Sequence, residues 1–178
     1  NFISKLTLSS QLTFKMSIVA KPAFKISLVL DEAQSINTTG AGAYNIVNIK
    51  SGKTTTLDPA FPFDGTVIAG RDDITATATH FTLDCKVFGN IDGDKGFTMW
   101  YNGKVRLSEA IGALLQGKSK ETSFEETYIV NSMAITLDKD VDAKYRWVEN
   151  TVLVGRGRFF RCDAGTLNIE YIVHAVQA

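Results

Sequence analysis

Residues that mark specialised chemistry are scarce in this sequence. Its 178 residues include two cysteines, two histidines and three prolines, and 19 basic side chains balance 19 acidic ones. Cys85 and Cys162 are too few for a disulfide-dense scaffold. They read as two small hydrophobes or as one bridge, and spacing does not choose between these. His80 and His174 stand alone, with no Cys-x-x-Cys or His-x-x-x-His pair, so no local zinc or iron motif exists and no metal is expected. The cancelled charge argues against nucleic acid and membrane surfaces as partners, because both select for a basic excess. No apolar run approaches the roughly 20 residues that span a bilayer. Nucleophile elbows and P-loops are missing, and Gly155-x-Gly157 has Phe160 where a dinucleotide fingerprint needs its third glycine. Arg156, Arg158 and Arg161 with Phe159 and Phe160 imitate an RNA-stacking strand, but solvated arginines on an outward strand face are the simpler reading. No cofactor is expected.

What remains is ordinary globular material, 44% hydrophobic and 21% charged, at the length of one domain. Its dominant period is two. Leu12, Phe14, Met16 and Ile18 alternate with polar residues, as do Phe24, Ile26, Leu28 and Leu30. Ala43 to Ile49, Phe63 to Ala69 and Thr75 to Thr79 read as further strands, and Ser51-Gly52-Lys53 as a turn. Phe81 to Phe88 and Gly96 to Tyr101 flank the turn Asn90 to Gly96 and make the clearest hairpin. Ser108 is positioned to cap a short helix through Leu115 that ends at Gly117. Strands resume over Tyr128 to Leu137, Tyr145 to Val154 and Thr166 to Val176. About nine strands with no crossover helix between them predict an antiparallel all-β sandwich or closed barrel.

Asn1 to Lys15 lacks the charged start and apolar middle of a signal peptide. Met16 is a candidate natural start. Residues 1–20 are therefore expected to be an N-terminal extension or strand, and 21–178 the domain. The expectation is a cytoplasmic protein, with the sequon at Asn37-Thr38-Thr39 keeping secretion open.

A set of motifs narrows the fold. Tyr145-Arg146-Trp147 followed by Thr151-Val152-Leu153-Val154-Gly155-Arg156-Gly157-Arg158 resembles the Tyr-x-Trp…Phe-Val-Gly-x-Gly signature of the DUF3237 family of small bacterial and fungal proteins. Leu83-Asp84-Cys85, Asp64-Gly65-Thr66-Val67, Trp100-Tyr101-Asn102-Gly103 and Leu167 to Val176 match it in the same order, so the resemblance runs from about Lys21 to Val176. Glu149 departs from the pattern, since relatives tend to carry Asn there and here the Asn is Asn150. The resemblance implies a single antiparallel, lipocalin-like (calycin-type) β-barrel with one short helix. It implies no reaction by itself, although fungal relatives of such barrels sometimes serve natural-product pathways as cyclases or isomerases.

Inside such a barrel a carboxyl against an apolar wall has its pKa raised and donates protons near neutral pH. Asp84 is the first candidate because it sits mid-strand among hydrophobes. Glu149 follows, and His174, four residues beyond Glu170, is positioned to pair with it. Trp100, Tyr101, Trp147, Tyr44 and Phe81 are the candidate walls of a pocket for a small hydrophobic ligand. Asp138-x-Asp140-x-Asp142 with Glu149 imitates a calcium loop, but Ala143 occupies the position that needs Gly, and an acidic surface turn is preferred. Asn90-x-Asp92-x-Asp94 reads as a turn. The leading expectation is a cofactor-free cyclase or isomerase acting on a small apolar intermediate. The alternatives are a non-catalytic carrier and a filled structural barrel, and a homo-oligomer stays open.

Overall fold

The computed structural model describes residues 18–177, and within them the strands close on themselves. The strands are β1 (Val19–Leu30), β2 (Gln34–Thr39), β3 (Gly42–Thr56), β4 (Gly65–Ala76), β5 (His80–Ile91), β6 (Lys95–Arg106), β7 (Ile129–Leu137), β8 (Leu153–Arg161) and β9 (Leu167–Gln177). Every pairing is antiparallel, in the order β1-β9-β8-β7-β6-β5-β4-β3-β2. β3 is long enough to hold two partners along one edge. Residues 42–46 take β2, and residues 49–56 take β1. The second pairing joins the two ends of the sheet, so eight strands form a closed barrel and β2 hangs outside it.

Alternation decides what lies within. Leu83, Cys85 and Val87 of β5 are buried while Thr82, Asp84, Lys86 and Phe88 are exposed. Closing a sheet turns one face wholly inward, so the apolar face fills the interior. Near the starts of β1 and β6 the barrel is plugged by aromatics. Phe63 lies 4.8 Å from Phe24 and 5.4 Å from Phe97, ring to ring. Phe24 and Phe63 are wholly buried, and burial of a side chain of this size stabilises by roughly 1.5–3 kcal/mol.

Two short helices cover the ends. α1 (Glu109–Leu115) follows β6, with the Ser108 hydroxyl accepting from the Ile111 N–H and Gly117 in the left-handed region just past its end. A 3-10 helix over Ala143–Asn150 occupies most of the expected strand Tyr145 to Val154, so β8 begins only at Leu153. The Asp142 side chain accepts from the Lys144 N–H, the Thr151 hydroxyl donates to the Trp147 carbonyl, and the Trp147 indole N–H donates to the Pro62 carbonyl at 2.9 Å. These bonds hold a helical turn that the alternating composition did not announce. The expected turn at Ser51-Gly52-Lys53 is continuous strand with an irregularity in the β1 register, and the two expected strands over 63–79 are mostly one, β4. The expected strand Leu12 to Ile18 lies, apart from Ile18, outside the described residues. No helix among the described residues is long and apolar enough to cross a membrane.

The Gly-x-Gly of β8 has a packing reason. A Cβ on Gly155 would stand 2.3 Å from the Asn131 side-chain oxygen, and one on Gly157 would stand 2.6 Å from the Tyr171 ring. Both glycines face inward and leave room for those two side chains. Gly157→Ala is expected to destabilise the fold by about 1–3 kcal/mol through overpacking. Gly112→Ala, with nothing within 4 Å of the new atom, is expected to stabilise α1 by up to about 1 kcal/mol. Urea unfolding midpoints of the two variants check both signs.

Candidate functional site

The end of the barrel opposite the aromatic plug is hollow. A chamber of about 250 Å³ runs inward from α1 and the β8–β9 turn, and an outer vestibule of about 780 Å³ shares its rim residues Leu30, Asp31, Ala33, Leu115 and Leu167. The chamber wall is mostly apolar, with Val47, Ile74, Phe81, Leu83, Phe159 and Ile169 among its residues. Its volume lies just below the usual range for drug-sized ligands, so it suits a small molecule or one end of a larger one.

Asp72 breaks the apolar wall. It is 7% exposed, faces inward from β4, and lies opposite Val47 on one side and Cys85 on the other. One of its carboxyl oxygens, Oδ1, has no hydrogen-bond partner among the described residues, and no ion pair reaches it there. Burial pushes its pKa up to about 7; the Asp84 backbone N–H beside it pulls it down, while the charges of Asp73 and Asp84 push it up further. Register continues the row across the barrel. Cys85 faces Tyr101, and the Tyr101 ring meets Tyr171 edge-on at 5.6 Å. Tyr101 also lines the chamber. Burial raises the Cys85 thiol and both phenols well above their ordinary values, so all three keep their protons at neutral pH. Asn131 lies beside Tyr171, its oxygen accepting from the Gly155 N–H at 3.1 Å and its nitrogen unpartnered among the described residues. The Tyr171 hydroxyl, wholly buried, is likewise unpartnered; Tyr101 and Asn131 adjoin it without completing a bond to it.

Of the residues expected from sequence, Tyr101 and Phe81 are on the chamber. Asp84 is not. It is exposed on the outer face of β5, opposite Asp73, because its neighbours Leu83 and Cys85 both point inward and alternation sends it out. Trp100 is outside for the same reason, 38% exposed with the Lys86 ammonium 5.0 Å from its ring. Tyr44 is half-buried on the outer face, beside Arg71. Trp147 packs at the plugged end, 6.2 Å from Phe24 and 5.0 Å from Phe61, away from the chamber. Glu149 is exposed beyond β7. It accepts from the Leu137 N–H and pairs with Arg146, which holds its carboxyl below the usual range. His174 lies on the outer face opposite Pro22 and Val154. The Glu170 on that face is engaged instead by Lys25 and Arg158. Burial raises Glu170 and those cations bring it below its ordinary value. The acids of the calcium-like loop serve turns: Asp138 accepts from the Gly96 N–H and Asp142 caps the 3-10 helix. Cys85 is buried and Cys162 exposed, both as free thiols.

Asp72, Asn131 and Tyr171 were missed. The one available signal was that Asp72 shares the inward parity of Ile74, whereas Asp73 next to it does not. Reading that parity requires knowing which face closes inward.

The fold is that of a closed eight-stranded antiparallel barrel with one open mouth. The chain belongs to the DUF3237 family of proteins of unknown function, which it matches over residues 19–176. A conserved protein of unknown function from Rhodopseudomonas palustris has the same fold, with a TM-score of 0.75 at 18% identity over 91% of this chain and 99% of that one. A β-barrel-like protein from Acinetobacter baumannii gives 0.66 at 19% identity over 91% and 98%. A protein described as an enzyme, from Penicillium herquei, gives 0.52 at 14% identity over 88% and 93%. No curated protein matches the chain at a significant level.

The raised Asp72 has a consequence for stability. Its pKa is about 7 in the fold against an ordinary 3.8, so the folded chain holds this proton more tightly than the unfolded one. Its contribution is therefore complete below about pH 4, declines as pH rises through about 7, and stays reduced above that. At roughly 1.4 kcal/mol per pH unit the loss is a few kcal/mol. Asp72→Asn, which has no charge to bury, is expected to melt higher than the parent protein at pH 8 and close to it at pH 4. Thermal melts at the two pH values check this.

Proposed function

We propose that this chain is an enzyme that takes a small, mostly apolar biosynthetic intermediate into the chamber and promotes its cyclisation or isomerisation by proton transfer. The observation that carries the reading is Asp72, a carboxyl in an apolar wall that has, among the described residues, a free oxygen and no cation to neutralise it. A buried acid kept for structure is normally paired or fully hydrogen-bonded, because an uncompensated buried charge costs several kcal/mol. Asp72 avoids that cost by holding its proton up to about pH 7, which is also where a general acid or base works most efficiently.

The chamber supplies the rest. Confinement holds one conformer of a flexible molecule near its reacting geometry, and effective molarity then lowers the barrier. Phe81, Phe159 and Ile169 give the apolar walls, and Tyr101 offers a hydroxyl-bearing ring beside Asp72. Proton transfer by these groups calls for no cofactor. A structural neighbour of this fold is described as an enzyme, which supports catalysis in such a barrel without indicating which reaction this chain performs.

A second reading, a non-catalytic carrier of a small hydrophobic molecule, is favoured by the largely apolar lining. Asp72→Asn separates the two. A panel of small conjugated apolar compounds is incubated with the protein in heavy water, deuterium uptake is followed by NMR and affinity by calorimetry. The enzyme reading expects uptake that falls by at least about 100-fold in Asp72→Asn, with affinity changed by less than about threefold. Binding without uptake in the parent protein establishes the carrier, and equal uptake in the variant removes Asp72 from the chemistry.

A further inference from the structure

Behind the chamber wall, next to Tyr101, two buried donors have no acceptor among the described residues. The Asn131 oxygen is already engaged by the Gly155 N–H, which leaves its NH₂ to donate. The hydroxyl of Tyr171 is 0% exposed and has no partner among the described residues. Tyr101, 3% exposed and lining the chamber, stands between Tyr171 and the Cys85 thiol. Buried donors without acceptors are costly, so a fold that keeps two together is retaining them for a group outside the chain itself. Two glycines of β8 make the room they occupy.

We propose that this wall holds a ligand oxygen that becomes negatively charged during the reaction, so that the substrate is an enolisable conjugated ketone bound by its carbonyl. The inference deepens the reading of the chamber as an enzyme site and rests on it. Tyr101 and Asn131 adjoin the Tyr171 hydroxyl, and a ligand oxygen accepting from Tyr101 would close one chain of donation, with Asn131 giving to the Tyr171 oxygen and Tyr171 to the Tyr101 oxygen. A single ligand acceptor thereby satisfies the whole row, and each bond polarises the next. The ligand group must be small and uncharged on entry. Among the described residues no lysine or arginine lines the chamber, which disfavours a carboxylate or phosphate there.

The step balances within these groups. The Asp72 carboxylate takes a proton from the carbon beside the carbonyl. The electron pair of that C–H bond forms the enolate double bond, and the carbonyl π pair moves onto oxygen, where Tyr101 stabilises it. The protonated Asp72 then returns the proton to a more distant carbon of the conjugated system, the pair moves back, and the double bond has shifted. Tyr101 is the catalytic donor. Tyr171 and Asn131 are positioning residues that act through it.

Phenols imitate the enol, and their ionisation is read directly by absorbance. A series of nitrophenols of graded acidity is bound to the protein at pH 5, where Asp72 holds its proton, with naphthalene as the apolar control. The bound phenols are expected to ionise at least tenfold more readily than in water. Tyr101→Phe is expected to abolish that gain and Tyr171→Phe to reduce it, each with naphthalene affinity within about threefold of the parent protein. Naphthalene binding with unshifted phenols overturns this inference alone, as does an undiminished shift in both variants. Failure of naphthalene to bind at all overturns the chamber reading as well. The two variants each remove one hydroxyl, so loss of folding in one leaves the other to decide.

Discussion

The barrel has an inside because β3 pairs twice. Its first half carries β2 as an outer flap, and its second half takes β1 and closes the sheet. Without that second pairing the inward face would be one side of an open sheet, and Asp72, Tyr101 and Tyr171 would each meet water. Closure removes both exposed edges of the main sheet and desolvates a whole face at once. The raised acid, the protonated phenols and the apolar walls all follow from that desolvation.

The two ends of the barrel are used differently. Phe24, Phe63 and Phe97 interlock at one end, with Trp147 covering them through its bond to Pro62. At the other end the interior is unfilled, and α1 with the β8–β9 turn borders the mouth. The rigid plug supplies apolar stability on the order of several kcal/mol, which offsets unpaired polar atoms elsewhere in the same interior. Strain or missing partners at a site persist only where the surrounding structure over-determines it. The aromatic end is that surrounding structure here.

The outer face shows the contrasting solution to the same problem. Glu170 is nearly as buried as Asp72, yet Lys25, Arg158 and Ser27 surround it and it keeps its charge. Among the described residues Asp72 has no such company, and its pKa rises to about 7. The two acids are pushed in opposite directions by their neighbours, the separation that acid–base sites require.

Much of the fold was legible from residues alone. The period of two gave the strands, Ser108 and Gly117 bounded the helix, and the ordered motifs pointed to the family and its barrel. Strand alternation also showed that Asp84 and Leu83 point opposite ways. What alternation leaves open is which of the two faces closes inward for an acid at each position, and how far neighbouring strands are offset. Those depend on register, which is set by bulges such as the one between Val67 and Ala69 and by the double pairing of β3. A 3-10 helix where alternation suggested strand likewise needed the side-chain caps at Asp142 and Thr151. Composition and period therefore determined that this chain is an antiparallel all-β domain, and the family resemblance pointed to the barrel. Only tertiary closure decided that the acid inside it is Asp72, because a carboxyl becomes reactive through the neighbours it is deprived of, and those come from strands distant in sequence.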